Sequence, residues 1–321
     1  MRARAPAGPD VVGVDIGLSV TDAVLVPPDG AVQGPSHTRF ESAGLEPSEA
    51  LTRALEALGP RASEAAAIGV TGGRSGTLSA DANRPPQGGS ERVPLHVIGE
   101  PEAIGRGGLH LAGVPRALVV SCGTGTAMIA ADAPSERYAH ASGTPVGGGT
   151  LRALGGLLLG TRDAHAIAEL AAAGDASAVD TTLADVLGAG IGSLPPDATA
   201  VSLGRLAESD LDVRLEDLAA AVVTMIAQTI GLVAVNAVRA QALPAVVMVG
   251  RLATFEPVRS MVGAVFRVYG SSELLHLPDR AERATAFGAA LAAREREGRR
   301  REGRRGEGDR REGGERRSQA P

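Results

Sequence analysis

The sequence contains no lysine, so all 32 of its basic residues are arginine. This absence excludes the Walker A loop and the phosphate-binding lysine of protein kinases, and it excludes enzymes that form a Schiff base through a lysine. Any phosphate binding must therefore use glycine turns, helix N-termini, arginine or a metal ion.

Cysteine and aromatic residues are also scarce. Cys122 is the only cysteine, which excludes an intramolecular disulfide and a cysteine-rich zinc or iron–sulfur site within one chain. Aromatic residues make up 2% of the chain, so stacking on nucleic-acid bases is not expected and no specific nucleic-acid partner is predicted. The N-terminal residues show no signal-peptide pattern, and we expect a cytoplasmic protein.

The 321 residues, 44% of them hydrophobic, are enough for a sizeable core of Ala, Val, Leu and Ile in two lobes. Residues 218–237 carry no charge and approach the length of a membrane span. They contain Thr224, Gln228, Thr229 and Asn236, however, and we interpret them as a buried helix and expect no membrane association. Because this helix is apolar on all sides, we expect a second surface to cover it, such as the partner subunit of a homodimer.

The last 28 residues differ in composition from the rest. Residues 294–321 hold 11 arginines and 7 acidic residues, whereas the rest of the chain is strongly acidic. With scattered glycine and almost no apolar residue, this segment is predicted to be a disordered, solvated tail beyond a short continuation of the last helix. Weak binding of RNA or acidic surfaces is the alternative for such a tail.

The remaining sequence predicts alternating strands and helices in two similar halves. Each half begins with a glycine hairpin and later sends a buried strand into a glycine turn, as in "AIGVTGG" and "AVVMVGR". Pro115 marks the expected boundary. The predicted domains are an N-terminal lobe at 1–115, a C-terminal lobe with the dimerisation helix at 116–293, and the tail at 294–321.

Glycine-rich turns are the main candidates for binding. The stretch "SCGTGTAMIAAD" places Gly-Thr-Gly-Thr between two predicted strands, where glycines allow close approach of a ligand and hydroxyls add donors. An ordinary tight hairpin is the alternative. Similar turns occur in "VDIGLSVTD", "VTGGRSG", "SGTPVGGGT" and "VMVGRL".

A glycine hairpin of this kind in each half resembles the actin, hexokinase and heat-shock ATPase superfamily. That resemblance implies an α/β fold with two actin-like (ribonuclease H-like) lobes around an ATP cleft.

A narrower resemblance follows from the order of "GEPEA", "SCGTGTA", "SGTPVGGGTLRALGGLLLG", "AAAGDASAVDTTLADVLG", "AVSLGRL", "LEDLAAAVVTMIAQTIG" and "VVMVGRL". These segments resemble the type II (Fumble-like) pantothenate kinases over most of residues 11–292. The most specific part is the block at 142–160 together with Gly174, Asp175 and Asp180. The resemblance implies an ATP- and Mg²⁺-dependent kinase that phosphorylates the primary hydroxyl of pantothenate, the first step of coenzyme A synthesis, with CoA or acyl-CoA as a possible feedback ligand.

The resemblance also implies roles for individual residues. Glu100 matches the catalytic carboxylate that accepts the proton of the substrate hydroxyl, and Asp15 matches the acid that holds Mg²⁺ through water. An exposed acid at a strand end is the alternative for Glu100. The implied nucleotide-binding residues are Asp15, Gly17, Ser19, Thr124, Gly125, Gly147, Gly148, Gly149, Thr150, Gly250 and Arg251. Gly155 and Gly156 are expected to pack in the core.

The sequence departs from the family pattern at four positions, three of them in the first loop. In the first loop, Leu18 stands in place of a glycine, Ser19 in place of a threonine, and Asp22 in place of a lysine. The expected substrate-binding residues are Thr124, Thr126, His140 and Arg137. His140 falls where the family has an arginine that contacts pantothenate, and histidine does not reproduce a bidentate guanidinium. An ordinary surface histidine is equally compatible.

Two further readings follow from these departures. A kinase for another small alcohol retains the fold and changes the acceptor, as His140 suggests. A non-catalytic protein that senses CoA or acyl-CoA is suggested by Leu18 and Asp22. An iron–sulfur dehydratase activator or a zinc-containing sugar kinase is not expected, because Cys122 is alone.

Overall fold

The computed structural model describes residues 9–30, 37–78, 93–208 and 212–318. Its strands are β1 (Val11–Ile16), β2 (Val20–Val26), β3 (His37–Glu41), β4 (Ile68–Thr71), β5 (Leu95–Val97), β6 (Arg116–Cys122), β7 (Thr126–Asp132), β8 (Arg137–Thr144), β9 (Thr181–Thr182), β10 (Thr199–Val201), β11 (Val246–Val249) and β12 (Leu275–His276). Its α-helices are α1 (Pro47–Leu58), α2 (Pro60–Ser63), α3 (Glu100–Ala112), α4 (Gly148–Leu154), α5 (Ala164–Ala172), α6 (Leu183–Leu187), α7 (Leu215–Ala240), α8 (Glu256–Val268) and α9 (Ala284–Ser318).

The first large sheet has the strand order β3-β2-β1-β4-β5. β1 and β2 form an antiparallel hairpin, whereas β1, β4 and β5 run parallel. The hairpin closes through the N–H of Gly17, which donates to the carbonyl of Val20. A Cβ at position 17 would lie 2.7 Å from that carbonyl oxygen, so the turn requires glycine.

The second large sheet repeats this plan, with the order β12-β11-β6-β7-β8. In this sheet, β7 pairs antiparallel with both β6 and β8. β11 pairs in parallel with β6, as β4 does with β1 in the first sheet. The two sheets therefore have the same topology, which confirms the internal repeat inferred from the glycine hairpins.

The chain divides into two compact units. The first contains the described residues up to Gly107 and those from Thr285 onward, and the second spans Gly108–Ala284. These limits differ from the predicted domains at 1–115, 116–293 and 294–321. The main difference is the start of α9, which packs on the first sheet: Ala286, Phe287, Ala290 and Ala293 share a buried cluster with Val11, Val24, Val26 and Ala67.

The close packing of α9 depends on glycines in the first sheet. A Cβ on Gly13 would lie 1.8 Å from the carbonyl oxygen of Ala286, and a Cβ on Gly69 would lie 2.1 Å from that of Ala289. The sequence alone gave no basis for assigning this alanine-rich segment to the first unit, because its partners are strands more than 200 residues away.

The C-terminal segment begins with the expected continuation of the last helix, and its first residues make contacts that a solvated tail would not make. α9 continues as a helix to Ser318, and Arg294 donates to the carbonyls of Val26 and Pro27. Glu297 is only 3% exposed and accepts hydrogen bonds from Arg300 and Arg301. Residues 294–301 are therefore packed or ion-paired, because arginine and glutamate alternate at spacings of three and four along the helix.

The apolar segment at 218–237 lies in α7, as expected. Among the described residues, the length and composition of α7 would allow it to cross a membrane. However, 72% of its most apolar window is buried inside the protein. It packs against α5 and α8 of its own unit. Its apolar surface is therefore largely covered without a second subunit.

We expect Gly13→Ala to lower the free energy of unfolding by about 3 kcal/mol or more, because the methyl group cannot fit without displacing α9. Gly76→Ala is the matched control, since nothing lies within 4 Å of a Cβ at that position. Urea unfolding followed by circular dichroism measures both variants. Equal stability of the two variants would contradict the packing described for α9.

Candidate functional site

Four polar residues lie side by side across the first sheet. Asp15 of β1 is the register partner of Thr71 on β4 and of Asp22 on β2, and Asp22 in turn is the partner of Arg39 on β3. Because register partners share a face of the sheet, these four side chains form a continuous line, which we call the polar row. It contains the predicted metal-holding acid and the acid that stands where the family has lysine.

The carboxyl group of Asp15 is in an unusual environment. Its pKa is raised from 3.8 to about 7, mainly by burial and also by the nearby charges of Asp22 and Glu100, whereas Arg39 opposes the shift. The negative charge of Asp15 is therefore costly without a compensating cation. Such a group favours the binding of a positive ion or a positively charged complex close to it.

The negative charge of Asp22 has two basic side chains close to it. His37 Nε2 lies 3.0 Å from Asp22 Oδ1, and Arg39 Nη1 lies 3.6 Å from the same oxygen. The sequence had suggested that an acid at this position weakens nucleotide binding. The structure shows that Arg39 returns a positive charge to the row from the adjacent strand.

Sequence reasoning missed Arg39, His37 and Thr71. Two of these leave buried polar atoms without a hydrogen-bond partner, Arg39 Nε and Thr71 Oγ1. No alternating pattern marks "HTRFE" as a strand, and only its pairing with β2 in the structure places residue 39 beside residue 22.

Glu100, the predicted catalytic base, is the first residue of α3 and follows β5. Its charge acts on Asp15, so the structure brings these two predicted site residues together in the first unit. Gly17 and Ser19 lie in the β1–β2 turn at the end of the same strands. Leu18 is at the tip of this turn and is 67% exposed.

The second unit brings three glycine turns together. The N–H groups of Gly148 and Gly149 donate to the carbonyls of Gly123 and Thr124, and a Cβ on Gly250 would lie 2.6 Å from the carbonyl oxygen of Cys122. Gly250 has a φ of 88°, so it requires glycine for its conformation as well as for space. Arg251 follows it directly in this turn.

The amides of the "GGGT" turn are mostly occupied by the protein itself. In addition to the two bonds to the 123–125 turn, the N–H of Gly147 donates to Thr150 Oγ1. The sequence predicted that these N–H groups face a phosphate. In the structure they connect two turns, which leaves fewer main-chain donors for a ligand than expected.

The turn at 123–125 remains open to a ligand. Gly123 and Gly125 do not have a left-handed φ, and a Cβ on either would meet only ordinary contacts at 3.5 Å or more. Thr124 is exposed. Thr126, by contrast, is buried and donates its hydroxyl to the carbonyl of Val146, a structural contact that occupies its predicted substrate-binding group.

The two predicted basic substrate contacts lie on one strand but not on one face. His140 and Arg137 are exposed residues of β8, where they pair with Ile129 and Asp132 in regular register. Residues three apart on a strand point to opposite faces. Arg137 therefore does not replace a guanidinium at the position of His140.

Several residues of the segments that carried the narrower resemblance make structural contacts. A Cβ on Gly174 would lie 2.0 Å from the carbonyl oxygen of Glu216 at the start of α7, and the N–H of Asp175 donates to Asp217 Oδ1. Asp180 accepts hydrogen bonds from Thr199 Oγ1 and the N–H of Leu203. Burial raises the pKa of Asp180, and these two bonds oppose the shift. Gly155, expected in the core, packs on Ile167.

No group of three or more metal-ligating side chains occurs in the part of the chain that the structure describes. The polar row nevertheless offers oxygen atoms suited to Mg²⁺, namely the carboxylates of Asp15 and Asp22 and the unpaired hydroxyl of Thr71. This donor set fits an ion that keeps several waters and receives its other ligands from a bound phosphate group.

Comparison with solved structures defines the fold as actin-like. The activator of 2-hydroxyisocaproyl-CoA dehydratase from Clostridium difficile with bound ADPNP has a TM-score of 0.61 at 17% identity, covering 91% of this chain and 97% of the other. A ROK family glucokinase from Streptomyces griseus in complex with glucose and AMPPNP has a TM-score of 0.54 at 16% identity, covering 89% and 99%. At these identities the likeness shows the fold, and it confirms the predicted fold class.

The sequence comparisons match part of the chain to one family. Residues 114–270 match the Fumble family. The chain is also 35% identical over 122 residues to pantothenate kinase 1 of Oryza sativa subsp. japonica, an alignment that covers 36% of this chain and 18% of the rice protein. The resemblance to the Fumble-like pantothenate kinases is thus confirmed, and it lies mainly in the second unit. The matched region spans less than a fifth of the rice protein's length.

The pKa of Asp15 gives a prediction for stability against pH. The folded state keeps this proton up to about pH 7, whereas a carboxyl with the ordinary pKa of 3.8 releases it much earlier. The folded state therefore loses stability as the pH rises from about 4 to 7, by up to about 4 kcal/mol. We expect Asp15→Asn to unfold at higher urea than the wild type at pH 8, in the absence of nucleotide and Mg²⁺.

The same variant should lose this advantage at pH 4.5, where Asp15 is protonated. Glu56→Gln, an exposed acid of α1, is the control and should show no such pH dependence. A constant difference between Asp15→Asn and the wild type across this range would contradict the raised pKa.

The open turn at 123–125 gives a prediction for ligand binding. Gly123→Ala should fold normally, because its Cβ would meet its nearest atom at 3.7 Å. If a nucleotide approaches this turn, the added methyl group should weaken binding of Mg-ATP by about tenfold or more. Titration calorimetry measures the affinity, and an unchanged Kd would exclude close approach of the nucleotide here.

Proposed function

We propose that the protein is an ATP- and Mg²⁺-dependent kinase that transfers the γ-phosphoryl group to the primary hydroxyl of pantothenate. The observation that carries this proposal is the electrostatic effect of Glu100 on Asp15 of the polar row, in a chain whose residues 114–270 match the Fumble family. An actin-like fold shared with proteins solved with ADPNP and AMPPNP supports the use of ATP.

Glu100 acts as the base in this proposal. The substrate hydroxyl oxygen attacks the γ-phosphorus, the bond to the β–γ bridging oxygen breaks, ADP leaves, and the hydroxyl proton passes to the carboxylate. In a loose transition state the carboxylate mainly orients the hydroxyl, while the rate depends largely on positioning and on neutralisation of charge. Its place at the first residue of α3 fixes its backbone in a helix.

Asp15 would hold the hydrated Mg²⁺ in this proposal, with Thr71 Oγ1 as a further polar neighbour. Mg²⁺ supplies neutralisation of the phosphate oxygens when it is bound. Placing a divalent cation beside Asp15 also removes the unfavourable burial of its charge, so we expect metal-nucleotide binding to be accompanied by proton release near neutral pH.

Arg39 supplies the positive charge that a lysine gives in the family pattern. Its Nη1 contacts Asp22, while its buried Nε has no partner within the described residues. Guanidinium groups bind phosphate oxygens well. This arrangement reduces the argument for a non-catalytic CoA sensor, because that alternative was based partly on an uncompensated acid at position 22.

A kinase for another small alcohol is the second candidate. It is favoured by His140, because Arg137 lies on the opposite face of β8 and does not restore the missing guanidinium. A dehydratase-activator role is not favoured, since the single cysteine, Cys122, is buried with its pKa raised to about 12 by burial. Feedback by CoA compounds, a homodimer and a cytoplasmic location also remain proposals.

The test is turnover with Mg-ATP and pantothenate. We expect Glu100→Gln to lower pantothenate-dependent ADP release by about 100-fold or more, because the hydroxyl loses its proton acceptor. Glu49→Gln, an exposed acid in the first turn of α1, is the control and should retain the wild-type rate.

Two results would contradict the proposal. Background rates in both the wild type and Glu100→Gln would exclude pantothenate kinase activity, and turnover with a panel of small alcohols would then identify another acceptor. Stabilisation by CoA or acetyl-CoA without any turnover would instead indicate the sensor.

A further inference from the structure

The loop that carries Glu100 is held by an arginine from the opposite end of the chain. β5 ends at Val97, and α3 begins at Glu100. Arg296 of α9 donates from Nη1 to the carbonyl of Val97 at 2.9 Å and from Nη2 to Glu102 Oε2 at 2.7 Å. One planar guanidinium therefore binds a residue that precedes Glu100 in the sequence and a residue that follows it.

The second oxygen of Glu102 is held independently. Arg106 donates from Nε to Glu102 Oε1 at 3.0 Å and from Nη1 to Glu295 Oε2 at 2.6 Å. Glu295 lies next to Arg296 on α9, so α3 and α9 are joined by a four-membered network of charges. Two hydrogen bonds from one planar guanidinium to different acceptors fix its orientation as well as its distance.

Backbone packing brings the two helices close enough for this network. A Cβ on Gly288 of α9 would lie 1.9 Å from the carbonyl oxygen of Ala103 of α3. Ala289 and Ala292 share a buried cluster with Ile98 and Ala103, on either side of Glu100 in the sequence. α9 thus contacts the Glu100 loop through both its apolar start and its charged continuation.

We propose that Arg296 is a positioning residue for Glu100, which it keeps in place by connecting the end of β5 to the first turn of α3. This inference rests on the proposed kinase function. It assigns a role to the arginine-rich segment that the sequence had predicted to be a solvated tail. Arg296 contacts neither nucleotide nor acceptor in this role and acts through the backbone that carries the base.

The expected effect is on turnover rather than on global stability. The side chain of Arg296 is 42% exposed, and exposed ion pairs contribute little to the free energy of unfolding. A shift of about 1 Å in a catalytic group can nevertheless lower the rate by about 100-fold. Arg296→Gln should therefore lower kcat by about 10- to 100-fold, with the KM for ATP and the melting temperature close to those of the wild type.

Arg296→Lys distinguishes geometry from charge. A single ammonium group keeps the charge but lacks the fork that reaches two acceptors, so this variant should recover only part of the lost kcat. Arg304→Gln is the matched control, because it removes the same charge from an exposed position further along α9. It should retain the wild-type kcat.

Amide hydrogen exchange tests the contact without substrate. The amides of residues 98–103, apart from Pro101, which has none, should exchange at least tenfold faster in Arg296→Gln than in the wild type, and at the wild-type rate in Arg304→Gln. Unchanged exchange, or an unchanged kcat in an active Arg296→Gln, would overturn the inference alone. Absence of transfer in the wild type would overturn the proposed function instead, so the two failures are distinguishable.

Discussion

The charge balance around Asp15 is the constraint on which the candidate site depends. A carboxylate is buried beside two others, and the nearby positive charge comes from arginine, since the chain has no lysine. Desolvation and like charges both favour the protonated form, and either a proton or a cation must offset them. The buried charge of Asp15 therefore favours a positively charged group close to the polar row. The second acid, Asp22, already lies within ion-pair distance of Arg39 and His37.

Much of the fold was predictable because its signals are local. The valine-rich strands, the glycine hairpin at Gly17 and the uncharged helix at 218–237 each have a pattern that neighbouring residues specify, and the repeat of that pattern predicted two sheets of equal topology. The position of α9 was not predictable. It depends on the missing side chains of Gly13 and Gly69, which let the helix backbone approach the sheet, and a sequence does not show which glycines serve this purpose. The same limitation applied to residues 294–301, whose charges find partners in distant strands and in α3.

Some residues of the candidate site were likewise predictable from the sequence, and others were not. Asp15 and Glu100 were found through the resemblance, and the structure places their charges within reach of one another. Arg39 was missed because its relation to Asp22 is a matter of strand register. Thr126 and the amides of Gly148 and Gly149 were expected to serve a ligand, yet they bind Val146 and the 123–125 turn. Motif spacing indicates which groups are near a ligand, but hydrogen-bond competition decides which of them are available.

The burial of Cys122 has a practical consequence for spectroscopy. The chain contains one thiol, and it is inaccessible and protonated at neutral pH. A cysteine introduced at an exposed position would therefore be the single reactive thiol without any removal of native residues. Leu18, at the tip of the first turn, offers such a position, and a fluorophore attached there would test whether a ligand reaches the hairpin.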